Sequence, residues 1–247
     1  MSFAKKLVPV LLPAFLLIIG CSAPGDSDSA PIAGAEGHKL NLPETNWTEG
    51  ETSTDNAPTS GEFTVKFETT AGDFVMLVHR NWSPRGAERF YQLIKNKYYD
   101  GAPFYRVVPG FMVQFGMNGD PAGTDYWSKP IPDEPSAQSN TIGMVTYAKS
   151  GPNTRSVQLF INYANNGPSL DPQGFPPFAE IIEGMNKVNA INAQYRERPN
   201  QGAMRQQGNE YVFTEFPRID YIKTVTFVGG DVESAGDGSS TKSIEGQ

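Results

Sequence analysis

The alternation of large apolar and polar residues is concentrated in the middle of the chain. Phe63, Val65 and Phe67 alternate with Thr64, Lys66 and Glu68, the period-two signature of a half-buried strand. Thr70-Ala71-Gly72-Asp73 then reads as a turn and Phe74–Val78 as a second strand, so the two make a hairpin. Ser83-Pro84 reads as an N-cap with proline at the first helical position. Ala87, Phe90, Leu93 and Ile94 follow at helical spacing, which predicts an amphipathic helix to about Lys97. Short apolar stretches come next at Phe104–Val108, Phe111–Phe115, Gly143–Ala148 and Val157–Asn162, separated by Gly, Pro and Asn turns. Met185, Val188 and Ile191 share a face of a second short helix, and Tyr221–Val228 closes as a strand. Many short strands with two helices point to an antiparallel barrel or sandwich. Gln194–Pro217, rich in Gln, Asn, Gly and Arg, reads as a long loop.

The flanks have a different pattern. Lys5 and Lys6 precede an apolar run from Leu7 to Ile19, too short and too interrupted by Pro9 and Pro13 for a comfortable membrane span. The run ends at Leu17-Ile18-Ile19-Gly20-Cys21, which resembles a bacterial lipobox. That resemblance implies a lipoprotein signal peptide over 1–20 and acylation of Cys21, which anchors the chain to a membrane. Ser22 in place of Asp implies the periplasmic side of the outer membrane where the cell has one, and otherwise the outer face of the cytoplasmic membrane. Residues 21–61 read as a flexible tether with few large apolar residues, of which Trp47 and Leu40-Asn41-Leu42 either dock on the domain or stay exposed. Residues 62–228 read as the folded domain and 229–247 as a disordered tail.

Composition narrows the function. With 38% hydrophobic residues, part of the 247-residue chain is expected outside the core, as the flanks suggest. A net charge of −7 argues against nucleic acid, whose phosphates require a basic surface. Cys21 is the one cysteine, so no intrachain disulfide supports the domain. Asp120, Asp125 and Asp133 match no cation loop, and no metal or cofactor is expected.

Three blocks carry candidate chemistry. Phe104-Tyr105-Arg106-Val107-Val108-Pro109-Gly110-Phe111-Met112-Val113-Gln114 places a cation before a Pro-Gly turn and a Phe-Met-x-Gln run. Ala148-Lys149-Ser150-Gly151-Pro152-Asn153-Thr154 leads into Gln158-Leu159-Phe160-Ile161. Leu170-Asp171 is followed by Gly174-Phe175-Pro176-Pro177-Phe178-Ala179-Glu180. Taken singly, each is a turn beside a strand, and a surface salt bridge is the commoner fate of such an arginine.

In this order and at these separations the blocks resemble the cyclophilin family of peptidyl-prolyl cis/trans isomerases. The first looks like the family's F-x-R-x-x-P-G-F-M-x-Q stretch and the second like its A-x-x-G-P-N-T-x-x-S-Q-F-F-I stretch. The resemblance covers about Phe63 to Ala193 plus the last strand. It implies an eight-stranded antiparallel closed β-barrel capped by two α-helices, and a monomer acting on proline-containing polypeptides. By position, Arg106 matches the catalytic arginine, while Phe111, Met112, Phe160 and Leu170 match the walls of the proline pocket. Gln114 and the Ala148-Lys149 backbone match groups that hold the substrate chain. Two positions depart: Ser169 stands at the usual pocket tryptophan and Phe175 at the usual pocket histidine, which implies weak binding of cyclosporin-like ligands. The same departures keep open two alternatives, a catalytically weak proline-segment binding module and an envelope scaffold docking partners through loop 194–217.

Overall fold

The computed structural model describes residues 41–230; residues 1–40, with Cys21, and 231–247 lie outside the described residues. The hairpin forms as the alternation predicts. β1 (Glu62–Thr69) buries Phe63, Val65 and Phe67 completely and pairs antiparallel with β2 (Phe74–His79). Then follow α1 (Pro84–Lys95), β3 (Arg106–Val108), β4 (Met112–Phe115), α2 (Pro121–Trp127), β5 (Met144–Tyr147) and β6 (Leu159–Asn162). α3 (Gly167–Leu170), β7 (Pro177–Glu183), α4 (Met185–Val188), α5 (Gln201–Glu215) and β8 (Ile222–Gly230) complete the order.

The eight strands form one antiparallel sheet in the order β3-β4-β6-β5-β7-β2-β1-β8. This corrects the expected closed barrel, because β3 and β8, the two ends of that order, do not pair. What joins the edges lies just ahead of each strand. Pro103 bridges Tyr221, and the amides of Gly101 and Phe104 donate to the carbonyls of Ile222 and Asp220. β3 has three residues, too few to extend the ladder, and its Val107 amide donates instead to the carbonyl of Arg196. Inside the curved sheet, Phe67, Phe74, Phe90, Phe115 and Phe178 form a fully buried aromatic core closed by α1.

Four readings change. The capping role expected of Ser83 falls to Glu134: Ser83 makes no side-chain cap, and the Glu134 carboxylate accepts the amides of Arg85 (2.8 Å) and Gly86 (3.2 Å). Those amides are orphan donors of the helix start, so a carboxylate from another loop satisfies them. The expected loop 194–217 contains α5. This helix buries Met204 and Val212 with Tyr195, Phe216, Ile219, Tyr105 and Met117 in a second apolar cluster. α5 kinks at Gly208 (φ 57, ψ −139), where an added Cβ would lie 2.1 Å from the Gly119 carbonyl oxygen. Only glycine permits that approach of α5 to the segment leading into α2.

The supposed tether is docked over its described part. Trp47 Nε1 donates to Asp120 (2.9 Å), Trp127 Nε1 to the Thr48 carbonyl (3.1 Å), and Arg89 Nη2 to the Thr52 carbonyl (2.7 Å). Residues 47–53 therefore form a strap across α1 and α2, and the folded unit includes residues 41–61. At the other end, β8 continues to Gly230 opposite Phe63, beyond the expected start of the tail.

Candidate functional site

Pleating determines which side chains face the site. On β4, Val113 and Phe115 enter the core, so Met112 and Gln114 face outward. On β6, Leu159 and Ile161 enter and Phe160 faces outward; on β3, Val107 enters and Arg106 faces outward. Register then aligns them. Arg106 pairs with Gln114, Gln114 with Phe160, and Phe160 with Thr146, one row across β3, β4, β6 and β5. Adjacent strands are about 4.8 Å apart, so Arg106 and Phe160 stand on strands roughly 10 Å apart.

The β3–β4 connection is Val108-Pro109-Gly110-Phe111, closed by the Phe111 amide on the Val108 carbonyl (3.0 Å). Proline presets the first central position and Gly110 takes the positive φ (75°) that the second demands. The turn delivers Phe111 to a small apolar cluster separate from the core. Met112, Phe160 and Leu170 are buried there, with Phe111, Ala148 and Phe175 packed against them. Phe175 meets Phe160 edge to face, with ring centroids 6.0 Å apart at 70°.

Leu170 and Phe175 come from the α3 region and are fixed by one node. Asp171 accepts from the Ser139 hydroxyl (2.6 Å) and from the amide (3.0 Å) and side chain (2.9 Å) of Asn140; the Asn140 side chain also donates to the Phe175 carbonyl. Burial opposes the charge of Asp171, but these donors outweigh it and hold its carboxyl below the ordinary value. Ser169 is exposed beside the cluster.

Arg106 is gripped on two sides. Its Nη1 donates to Gln114 Oε1 (3.2 Å), and its Nε and Nη2 meet Glu197 Oε1 at 2.6 and 2.5 Å. The Gln114 amide nitrogen donates to Gln158 Oε1 (2.9 Å) and to the Tyr105 hydroxyl (3.1 Å), which itself donates to Gln158 (2.7 Å). Burial pushes the Tyr105 phenol far above its ordinary value, so it stays a neutral donor in this network. Lys149 pairs with Asp133 (3.2 Å) and lies over the Phe175 ring at 5.4 Å. The Ala148 amide donates to the Gln158 carbonyl (2.9 Å).

Arg106, Phe111, Met112, Gln114, Ala148, Lys149, Phe160, Leu170 and Phe175 all line one groove of about 570 Å³. Cys21, the remaining expected site residue, lies outside the described residues. Sequence reasoning missed Gln158, which stood inside a quoted block without a role, and the contributions of segment 194–215: Glu197 on Arg106, and Gln201 and Arg205 in the groove wall. An Asn200 N-cap was the available signal for α5, hidden by Gly202 and Gly208. Among the described residues no His/Cys/Asp/Glu cluster is arranged to hold a metal, and no helix is long and apolar enough to cross a membrane.

Comparison with known proteins matches this arrangement to one family. The model of the family described as cyclophilin type peptidyl-prolyl cis-trans isomerase/CLD matches residues 64–209. A peptidyl-prolyl cis-trans isomerase-like 3 of Rhizopus delemar is 34% identical over 151 residues, covering 56% of this chain and 88% of that protein. Its namesake in Mus musculus is 35% identical over 134 residues (51% and 80%). Peptidyl-prolyl cis-trans isomerase CYP18-1 of Arabidopsis thaliana is 38% identical over 134 residues (51% and 81%). The crystal structure of a cyclophilin type isomerase from Cryptosporidium parvum superposes with a TM-score of 0.51 at 20% identity, over 68% of this chain and 98% of that one, a likeness of fold. With the family match spanning β1 to α5 and relatives covered over most of their length, this chain belongs to the cyclophilin-type peptidyl-prolyl cis/trans isomerases.

Proposed function

We propose that the groove performs the isomerisation, with Arg106 as the catalytic residue and the apolar cluster as the seat of the prolyl ring. The row Arg106–Gln114–Phe160 carries this reading: it sets a held guanidinium beside an apolar wall, one strand apart at each step. An X–Pro amide rotates slowly because twisting it breaks resonance, and uncatalysed exchange takes tens to hundreds of seconds. No bond is cleaved, so no nucleophile, acid/base pair or metal is required. In the twisted state the ring nitrogen regains a basic lone pair. A guanidinium is always charged and presents fixed donors, and it bonds that nitrogen more strongly than the planar amide. Each 1.4 kcal/mol of that difference is worth about tenfold in rate.

Phe111, Met112, Phe160, Leu170 and Phe175 hold the ring dry, and Gln114, anchored by Tyr105 and Gln158, keeps Arg106 aimed. The Ala148 backbone, which lines the groove, is proposed to hold the extended substrate chain. Exchange spectroscopy on a short X–Pro peptide tests the reading: Arg106→Lys, which keeps charge but loses the fork, is expected to slow exchange at least tenfold. Unchanged exchange would remove Arg106 from the chemistry. Binding of the peptide with no acceleration by the unmodified protein would favour the binding-module alternative.

The setting is a separate part of the proposal. The charged start, the apolar run and Leu17-Ile18-Ile19-Gly20-Cys21 support an acylated, membrane-anchored chain that acts on extracytoplasmic polypeptides. Intact-mass analysis of the chain from membranes is expected to show a processed, acylated Cys21; an unprocessed Met1 terminus would overturn it.

A further inference from the structure

The groove extends beyond Arg106 and the apolar cluster into a polar half lined by Ser128, Ser150, Thr154, Ser156 and Gln201, with Arg205 at its wall. Its charge is one-sided. Three cations, Arg106, Lys149 and Arg205, line the groove, and no aspartate or glutamate among the described residues does, although the chain carries a net charge of −7. The three cations are not equally occupied. Arg106 holds Glu197 at 2.5 Å and Lys149 holds Asp133 at 3.2 Å, whereas Arg205 has Asp125 at 3.9 Å, with both side chains largely exposed. A pair so open and so long neutralises little of the charge.

Arg205 is also well carried. It stands one helical turn after Gln201, so both project from the same face of α5. Beneath that face Met204 is buried, and past the kink the Asn209 amide donates to the Gly119 carbonyl (2.8 Å) while its side chain donates to the Gly101 carbonyl (3.0 Å). The helix bearing Arg205 is thereby pinned to the loops at Gly101 and Gly119. We propose that Arg205 is a specificity-determining residue: it draws into the polar half of the groove an anionic side chain, carboxylate or phosphoryl, carried by the substrate near its X–Pro bond. This rests on the groove reading above and names the substrate class within it. The serine and threonine hydroxyls and the Gln201 amide supply neutral donors around the anion, and Arg205 the charge.

The test uses the full chain and X–Pro peptides carrying Glu, Gln, Lys or phosphoserine at each of the two positions before and after the proline. The quantity read is the ratio of kcat/KM for anionic over lysine peptides, which is insensitive to a general loss of activity. At one position that ratio is expected to reach about tenfold for the unmodified chain, to fall toward one in Arg205→Ala and to invert in Arg205→Glu. A larger effect for phosphoserine than for Glu assigns the anion as phosphoryl, and the reverse order as carboxylate. If peptides are isomerised but no position shows a preference, or if the preference survives Arg205→Glu, the proposal fails while the groove reading stands. If no peptide is isomerised, both fail.

Discussion

At the scale of single residues, the site depends on polar groups whose partners are all committed. Gln114 accepts from Arg106 and donates to Gln158 and Tyr105, so replacing it with Leu removes one hydrogen bond from each of three partners, leaving Arg106 with Glu197 alone and Tyr105 with Gln158 alone. Leaving buried polar groups unsatisfied costs about 1–3 kcal/mol. Gln114→Leu is expected to lose that much in chemical denaturation and to slow peptide exchange together, since Arg106 loses its inner acceptor. Glu197 is a different case. Its pair with Arg106 is more than half exposed on the acid side, and exposed pairs contribute only about 0–1 kcal/mol. Glu197→Gln should therefore leave the unfolding midpoint nearly unchanged while shifting the Arg106 Nε–H resonance in a proton–nitrogen spectrum. A large loss of stability with no change in that resonance would contradict the pairing.

At the scale of elements, packing outweighed local composition in several places. Gly208→Ala puts a Cβ against the Gly119 carbonyl and a side chain at a φ of 57° with ψ −139°, a region that costs about 1–3 kcal/mol even without the clash. For a domain of this size that lowers Tm by roughly 2–12 °C. Trp47→Ala removes the ring against Tyr126 and the bond to Asp120, and is expected to release the strap, read as faster amide exchange at Thr48 and Gly50.

The hairpin, α1 and the strands at Phe111, Met144 and Leu159 were legible because their apolar period matches their burial. β7 was not. It opens on Pro177 after Pro176, and such a pair argues against a strand unless, as here, it sits at the first residue. α5 was hidden by two glycines and by weak amphipathicity, since its apolar residues are split across the kink. Arg106, Gln114 and Phe160 were singled out by resemblance to the cyclophilin motifs, whereas Glu197, which pairs with Arg106, and Arg205, in the groove wall, are brought there by the tertiary fold of segment 194–215.

At the scale of the whole molecule, stability is expected to fall in acid. Burial opposes ionised Asp133 and Asp171, yet their donors win and hold both below the ordinary carboxylate value. Stability from such groups is complete above the unfolded value of about 4 and is lost as pH falls through their lower folded values. Asp100 acts the other way: burial raises it, so acid relieves a cost there. With Asp55 and Asp73 also lowered, by Arg85 and Lys66, four lowered carboxylates stand against one raised, so denaturation midpoints should decline below about pH 4, and Asp171→Asn should flatten that decline. A midpoint that rises on acidification would show that Asp100 dominates.

The isomerisation proposed for the groove rests on Arg106 held beside the apolar cluster. Exchange spectroscopy on one X–Pro peptide, with the full chain and its Arg106→Ala variant, tests whether Arg106 drives the rotation. Clear acceleration by the unmodified chain is expected, with a loss of about 100-fold in the variant, the scale set by removing one donor aimed at a transition state. Equal acceleration by both proteins would contradict it.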